Sequence, residues 1–186
     1  MIRGMFIASI SLSFVLCAMN SNADEVSKFP AVELSNGLIK VNIYLPDAEK
    51  GYYRGTRFDW SGVISQVEYK GHTYFGEWKN THDPNNHDDI TGPVEEFRTG
   101  DFNEPNALGY KEAKPGEPFI KIGVGLLEKI DEPSYRFWQS YKIIKPGNWE
   151  IKHGKDWIEF KQDFEGIRGW SYSYIKKITL AKDKPE

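Results

Sequence analysis

The sequence predicts an all-β protein, an antiparallel β-sandwich. Short runs in which apolar and polar residues alternate recur through most of the chain, which is typical of half-buried strands. Glycine, proline and asparagine separate these runs at intervals that suit turns. After the N-terminal segment, no apolar pattern with helical spacing reaches ten residues. We therefore expect one β domain over residues 24–186, which is large enough to bury roughly 70% of its unfolded surface.

The first 23 residues have the pattern of a secretory signal peptide. Arg3 precedes an apolar run over residues 5–19, and small residues stand before a cleavage point after Ala23. This run is shorter than the about 20 residues that a membrane-spanning helix needs, and no later run approaches that length. We therefore expect a secreted or periplasmic protein with no membrane span. Because the only cysteine is Cys17, the remaining domain must fold without disulfides.

Two hairpins are expected in the first part of the domain. Residues 32–45 form two alternating runs joined by Asn36-Gly37, a pair that suits a two-residue hairpin turn. Residues 63–69 alternate again, and Lys70-Gly71 turns the chain back into residues 72–75. These patterns predict four short antiparallel strands.

A long segment without periodicity, residues 76–116, separates the hairpins from a regular second part. Loops of this length are uncommon unless they have a function. After it, strand patterns cover residues 119–127, 135–144, 149–152, 157–164 and 170–180. We expect the last two strands to be joined by a turn at Glu165-Gly166. Together these patterns predict an antiparallel meander.

Composition excludes several classes of function. The formal net charge is −3, and no basic block is longer than Lys176-Lys177, which argues against nucleic acid and against an anionic membrane surface as partners. There is no G-x-S-x-G motif, and no phosphate-binding loop with its lysine and serine or threonine. We expect no cofactor.

The stretch over residues 51–97 contains the unusual residues of this chain. Three of the four histidines lie there, together with arginines, acids and many aromatic rings. Rings beside fixed charges suit a polar ligand with one apolar face, and a sugar is the commonest ligand of that kind. The candidate ligand-binding residues are Arg54, Arg57, Trp60, Trp78 and Arg98. The two arginines of the glycine-rich loop could instead pair with nearby acids.

A histidine and two adjacent acids are the candidate catalytic residues. His87, Glu95 and Glu96 have the chemistry of general acids and bases. Because neighbouring residues on an extended chain point to opposite sides, at most one of the two glutamates can enter a given site. The alternative is a solvated turn without a catalytic role.

The acids and histidines of this stretch also raise the question of a metal. His82-Asp83 and residues 87–89 contain nitrogen and carboxylate ligands. No pair has a spacing that is diagnostic of zinc, and Asp83-Pro84 begins a sequence typical of a turn. We therefore expect no metal site.

The order of these elements resembles the N-terminal half of the galactose mutarotase-like (aldose 1-epimerase) β-supersandwich. The resemblance covers residues 34–180 and depends on the Asn36-Gly37 strand pair, the run from Gly62 to Gly71, and the long histidine-containing loop before the meander. It implies a partial supersandwich, a carbohydrate ligand, and a catalytic position at His87. Members of the family have glycine after that histidine, where this chain has Asp88, and the nearby arginine corresponds to Arg98.

The resemblance leads to one leading expectation and two alternatives. The family's second histidine and its glutamate base lie in the C-terminal half, which this sequence does not contain. We therefore expect an exported carbohydrate-binding protein without the full catalytic machinery, either a shortened relative or a piece of a longer protein. One alternative is an active epimerase or lyase-like enzyme with His87 as acid and Glu95 or Glu96 as base. The other is a structural or protein-interaction module.

Overall fold

A computed structural model describes residues 28–77 and 79–186, so the predicted signal peptide and Trp78 lie outside the described residues. The described part contains ten strands and no helix. Every strand pairs with its neighbours in antiparallel orientation. The prediction of an all-β, antiparallel protein is confirmed.

The two N-terminal hairpins form one sheet in the order β1-β2-β3-β4. Its strands are β1 (Ala31–Ser35), β2 (Ile39–Tyr44), β3 (Val63–Tyr69) and β4 (His72–Thr73). Between β1 and β2 the loop is longer than the predicted two-residue turn, because the Asn36 side chain accepts hydrogen bonds from the N–H groups of Leu38 and Ile39, both at 3.0 Å. Lys70 and Gly71 form the predicted two-residue turn, both with positive φ, 50° and 76°.

A second sheet has the order β5-β6-β7 and differs from the sequence prediction. Its strands are β5 (Pro118–Lys121), β6 (Gly125–Glu128) and β7 (Ile143–Pro146). The single strand predicted over residues 119–127 was wrong, because the chain turns at Gly123, whose φ is +79°. The strand predicted over residues 135–144 was wrong for residues 135–142, since β7 begins only at Ile143. There Tyr135 and Tyr141 are both buried and stack with ring centroids 5.7 Å apart, a contact that an extended chain does not allow.

The third sheet has the order β10-β9-β8. It contains β8 (Glu150–His153), β9 (Trp157–Ile167) and β10 (Trp170–Thr179), close to three of the predicted strands. The predicted turn at Glu165-Gly166 was wrong, because β9 continues through these residues and turns at Arg168-Gly169. Arg168 donates from its guanidinium to the Pro118 carbonyl and to the Glu117 carboxylate, which fixes the turn against β5.

The buried side chains form two clusters. The first is rich in aromatic residues and contains Tyr52, Tyr53, Trp60, Val63, Ala107, Tyr110, Phe119, Val124, Leu127, Tyr135 and Tyr141. The second is mainly aliphatic and contains Leu34, Ile39, Val41, Ile43, Ile158, Phe160 and Leu180. The second cluster combines side chains of the first and third sheets. Because the strands divide among three sheets, the sandwich arrangement itself stays a prediction.

Polar side chains join β10 to the loop before β3. The Asp59 carboxylate is fully buried and accepts hydrogen bonds from Ser61 Oγ at 2.6 Å and Tyr174 Oη at 2.7 Å. Lys176 Nζ lies 3.6 Å from the same carboxylate and also pairs with Glu95. Burial raises the pKa of Asp59, although Lys176 and the hydrogen bonds from Ser61 and Tyr174 oppose this rise. This network connects the third sheet to the segment that contains the predicted site residues.

Candidate functional site

Arg57 is the centre of a group of charged and aromatic side chains. Its guanidinium carbon lies 4.6 Å from the centroid of the Phe58 ring and 4.5 Å from that of Phe137. Arg57 Nε donates to Glu96 Oε2 at 3.0 Å, and Nη1 pairs with Asp88 Oδ1. Two rings and two carboxylates therefore hold the guanidinium in one orientation. The Arg57 site is defined as Arg57, Phe58, His87, Asp88, Glu96, Phe137 and Trp138.

Buried hydrogen bonds position the loops that form this site. The Tyr53 hydroxyl donates to the His87 carbonyl oxygen at 2.9 Å and accepts from the backbone N–H groups of Arg57 and Phe58, both at 3.3 Å. Burial raises the pKa of Tyr53 to about 12, so the hydroxyl keeps the proton that it donates at neutral pH. Tyr53 thus connects the loop of residues 46–62 to the long segment that contains His87.

A second connection positions the aromatic side of the site. Thr56 Oγ1 donates to the carbonyl oxygen of Gln139 at 3.2 Å and accepts from the N–H of Tyr141 at 3.3 Å. This pair of bonds fixes the segment before β7. Trp138 lies in this segment with 51% of the residue exposed, and its ring contacts that of Phe137 edge to face at 4.8 Å. An exposed indole is therefore held beside the ring on which Arg57 rests.

The charges of the site form a continuous row. Asp88 uses one carboxylate oxygen for Arg57 and the other for His87 Nε2, at 3.0 Å. The side chains of His87 and Asp88 are 29% and 44% exposed, so both reach solvent. Glu96 is less exposed, and its Oε1 is buried with no hydrogen-bond partner among the described residues. The row therefore presents hydrogen-bonding groups to solvent at the His87 and Asp88 end.

A buried lysine lies behind Glu96. Lys121 is 1% exposed, and its Nζ donates to the Phe97 carbonyl oxygen at 2.6 Å and to the Tyr135 hydroxyl at 3.1 Å. Burial lowers the pKa of Lys121 to about 8, although the nearby Glu96 carboxylate opposes this. Glu96, which pairs with Arg57, is thus also close enough to Lys121 for the two charges to interact.

The structure brings together three of the residues that the sequence singled out: Arg57, His87 and Glu96. Glu95 points away from them and pairs with Lys176, so the two adjacent glutamates face opposite sides. Arg54 lies in the same loop as Arg57, but its Nη1 donates to the Glu49 carbonyl oxygen. These pairings separate Glu95 and Arg54 from the Arg57 site.

Three further predicted ligand residues are also outside the Arg57 site. Trp60 is only 3% exposed, and its indole N–H donates to the Gly55 carbonyl oxygen at 2.8 Å, so it belongs to the aromatic core cluster. Arg98 is exposed, and its guanidinium carbon lies 5.8 Å from the centroid of the Phe102 ring. Trp78 lies outside the described residues. We therefore do not include these residues in the site.

Sequence reasoning missed Phe58, Asp88, Phe137 and Trp138 as members of the site. Trp138 lies inside the alternating run over residues 135–144, which predicted a strand and so no binding role for this ring. The adjacent Phe137 was a usable signal, since two large neighbouring rings cannot both face the same side of a strand. The exposed position of Trp138 follows from the irregular segment that replaces that strand.

The second histidine of the long segment has a structural position. The His82 ring stacks on Tyr52 at 3.9 Å, and its Nε2 donates to the Tyr52 carbonyl oxygen at 2.7 Å. Its Nδ1 lies 3.0 Å from Asp89 Oδ1. Burial alone would raise the pKa of Asp89, but hydrogen bonds from the Asp83 N–H and from His82, with the charges of His82 and Lys79, hold it below its usual value. His82 thus fixes the turn at residues 83–89.

Within residues 28–77 and 79–186, no three histidines or acids are grouped so that they could hold a metal ion. In the same part of the chain, no helix has the length and apolar character needed to cross a membrane. The chain matches no known protein family, no curated protein sequence and no solved structure.

Proposed function

We propose that this protein is an exported carbohydrate-binding protein and that the Arg57 site holds the sugar. The observation that carries the proposal is the exposed indole of Trp138, which packs against Phe137, the ring that the fixed guanidinium of Arg57 contacts. A sugar ring has an apolar C–H face that packs on an aromatic ring and hydroxyls that exchange hydrogen bonds with charged side chains. Trp138 supplies the first kind of contact, and Asp88 and His87 supply the second.

The arrangement of charges favours binding over catalysis. Anomeric proton transfer needs an acid and a base that both reach the sugar. Glu95 faces away toward Lys176, and the exposed Asp88 is bound to both Arg57 and His87. Glu96 is bound to Arg57, and its other oxygen is buried. The site therefore has groups that orient a ligand, and no free pair of acid and base.

The resemblance to the mutarotase-like family is part of this proposal. It depends on the order of the sequence elements, and the all-β antiparallel fold is consistent with it. Export is supported by the signal-peptide pattern of residues 1–23, which lie outside the described residues.

Replacing the exposed indole tests the proposal. We expect Trp138→Ala to weaken binding of a glycan, found first on a glycan array, by tenfold or more, about 1.4 kcal/mol, because the stacking face is lost. Since Trp138 is half exposed, we expect the free energy of unfolding to change by no more than about 0.5 kcal/mol. Isothermal titration calorimetry measures the first effect and urea unfolding the second.

The matched control is Trp170→Ala, because Trp170 is 40% exposed but lies on β10 and outside the Arg57 site. Equal loss of binding in both variants, or no glycan bound by the wild type, would contradict the proposal. We also expect no acceleration of mutarotation by polarimetry on fresh α-glucose or α-galactose. Acceleration that His87→Ala abolishes would instead establish the enzyme alternative.

A further inference from the structure

A pocket of about 490 Å³ opens between the loop of residues 103–111 and the segment that follows β6. Its volume lies within the range of small-molecule sites, roughly 300–1,000 Å³. No residue of the Arg57 site lines it. The side chains that matter for its chemistry are Glu104, Tyr110, Lys111, Lys129, Ser134 and Tyr135.

Lys129 is a cation held in a fixed position in this pocket. Its Nζ donates to the carbonyl oxygens of Tyr110 at 3.0 Å and Ala113 at 2.8 Å, and it lies 4.3 Å from the centroid of the Tyr110 ring. An ammonium group has three N–H donors, and these bonds use two of them. Among the described residues, no carboxylate forms a salt bridge with Lys129. It is therefore a preorganised positive charge with one donor left for a ligand.

The other charged side chains that line the pocket, Lys111 and Glu104, do not neutralise the charge of Lys129. Lys111 and Glu104 form a pair at 3.6 Å, but their side chains are 66% and 76% exposed, so water screens the pair strongly. They balance each other at the mouth of the pocket.

Behind the lining lie the buried Lys121 and the half-buried Glu132, whose Oε2 has no hydrogen-bond partner among the described residues. Glu132 Oε1 accepts the hydroxyl protons of Tyr110 at 2.7 Å and Tyr141 at 2.6 Å. Lys121 donates to the Tyr135 hydroxyl at 3.1 Å in a buried hydrogen bond, and Tyr135 itself is only 4% exposed. The pocket thus offers a lysine N–H and the hydroxyl of Ser134 as donors.

We propose that this pocket binds a small ligand that has a carboxylate or phosphate group, with Lys129 as its charge partner. Charge-assisted hydrogen bonds from an ammonium group to such anions are roughly twice as strong as neutral ones. Because Lys129 is already fixed by two carbonyls, little side-chain entropy is lost when the anion binds. The pocket is separate from the Arg57 site, so this proposal is independent of the carbohydrate proposal.

NMR titration of the full chain at low ionic strength tests the assignment. The probes are inorganic phosphate, galacturonate and the neutral sugar galactose. We expect one or both anions to shift the backbone amides of residues 103–111 and 129–135, whereas galactose leaves them unchanged. Lys129→Met should weaken the anion effect tenfold or more, while Lys129→Arg, which keeps the charge, should bind within a few fold of the wild type.

Lys142→Met is the control, since Lys142 is exposed, pairs with Glu128 and lies outside the pocket. Binding of phosphate alone identifies a phosphate site, and binding of galacturonate alone identifies a carboxylate site. The proposal is overturned if neither anion shifts these amides, if galactose shifts them equally, or if a folded Lys129→Met variant binds as well as the wild type. If Lys129→Met does not fold, Lys129→Arg and Lys129→Gln test the role of the charge instead. The proposal then requires that Lys129→Arg binds the anion as well as the wild type does and that Lys129→Gln binds it weakly.

Discussion

Lys121 is an ammonium group that is almost entirely removed from water. Its pKa is lowered from the ordinary lysine value of 10.5 to about 8, mainly by burial. At a pH between these two pKa values, the unfolded chain binds more protons than the folded one, so the free energy of unfolding rises with pH. Above about pH 10 the effect reverses, because burial raises the pKa of tyrosines such as Tyr135 and the unfolded chain then loses their protons first.

Lys121→Met isolates this contribution. For the wild type we expect the free energy of unfolding to rise by about 2 kcal/mol between pH 7.5 and 9.5 because of Lys121. Methionine is about as long and does not titrate, so this rise should disappear in the variant. Urea unfolding across the pH range measures it, and Lys145→Met, at an exposed position, should keep the wild-type slope. A variant with an unchanged slope would show that another group titrates.

At the scale of single elements, two hairpin turns have the same backbone conformation but differ in the contacts of their side chains. Lys70-Gly71 joins β3 to β4, and Arg168-Gly169 joins β9 to β10. In both turns a residue other than glycine has a positive φ, 50° at Lys70 and 51° at Arg168, which costs roughly 1–2 kcal/mol. Arg168 offsets this cost through its bonds to Glu117 and Pro118. Among the described residues, the interaction found for the Lys70 side chain is a cation–ring contact with Tyr69 at 5.1 Å.

Lys70→Asn should therefore stabilise the protein. Asparagine adopts positive φ more readily than lysine and is favoured before glycine in this type of turn. We expect the free energy of unfolding to increase by about 0.5–1 kcal/mol, measured by urea unfolding. Lys40→Asn, on the exposed side of β2, should instead lower it, since asparagine is depleted in strands. A neutral or destabilising Lys70→Asn would mean that the ring contact with Tyr69 outweighs the backbone strain.

For the whole molecule, the question is whether the two buried clusters unfold together. They are connected through β9 and β10. On β9, Ile158 and Phe160 belong to the aliphatic cluster. Gln162, on the same side of this strand, accepts a hydrogen bond from the N–H of Gly123 at 3.2 Å, beside the aromatic cluster. The Asp59 network connects β10 to the same region. Because the two clusters share these strands, we expect them to unfold in one transition.

Ile158→Ala tests this coupling. Ile158 is fully buried, so we expect a loss of about 2–5 kcal/mol in the free energy of unfolding. Far-ultraviolet circular dichroism and the NMR signal of the Trp60 indole N–H, in the other cluster, should give the same midpoint. Ile175→Ala on the neighbouring strand should change stability by no more than about 0.5 kcal/mol, because Ile175 is 59% exposed. Separate midpoints for the two probes would show that the clusters are independent units.

Sequence patterns predicted the strands best where one side of the strand is buried and the other faces water. In β2 the buried Ile39, Val41 and Ile43 alternate with exposed Lys40 and Asn42, which is the signal that the prediction used. Alternation misled at residues 135–142, where aromatic residues fill a core without forming a strand. Tyr135 and Tyr141 stack on each other, and no local pattern records a contact between rings that the backbone brings together by turning.

The sequence by itself determined the all-β class, most strand positions and the segment that contains the charged site residues, because periodicity and turn residues are local properties of the chain. Only the tertiary structure decided which of those residues meet. Glu95 and Glu96 are adjacent, yet one binds Lys176 and the other Arg57. Trp60 lies in the core and Trp138 is exposed, because the burial of a ring depends on what distant segments pack against it. Such contacts join residues that are far apart in the chain, as between Ser61 and Lys176, 115 positions apart, and no local pattern in the chain specifies them.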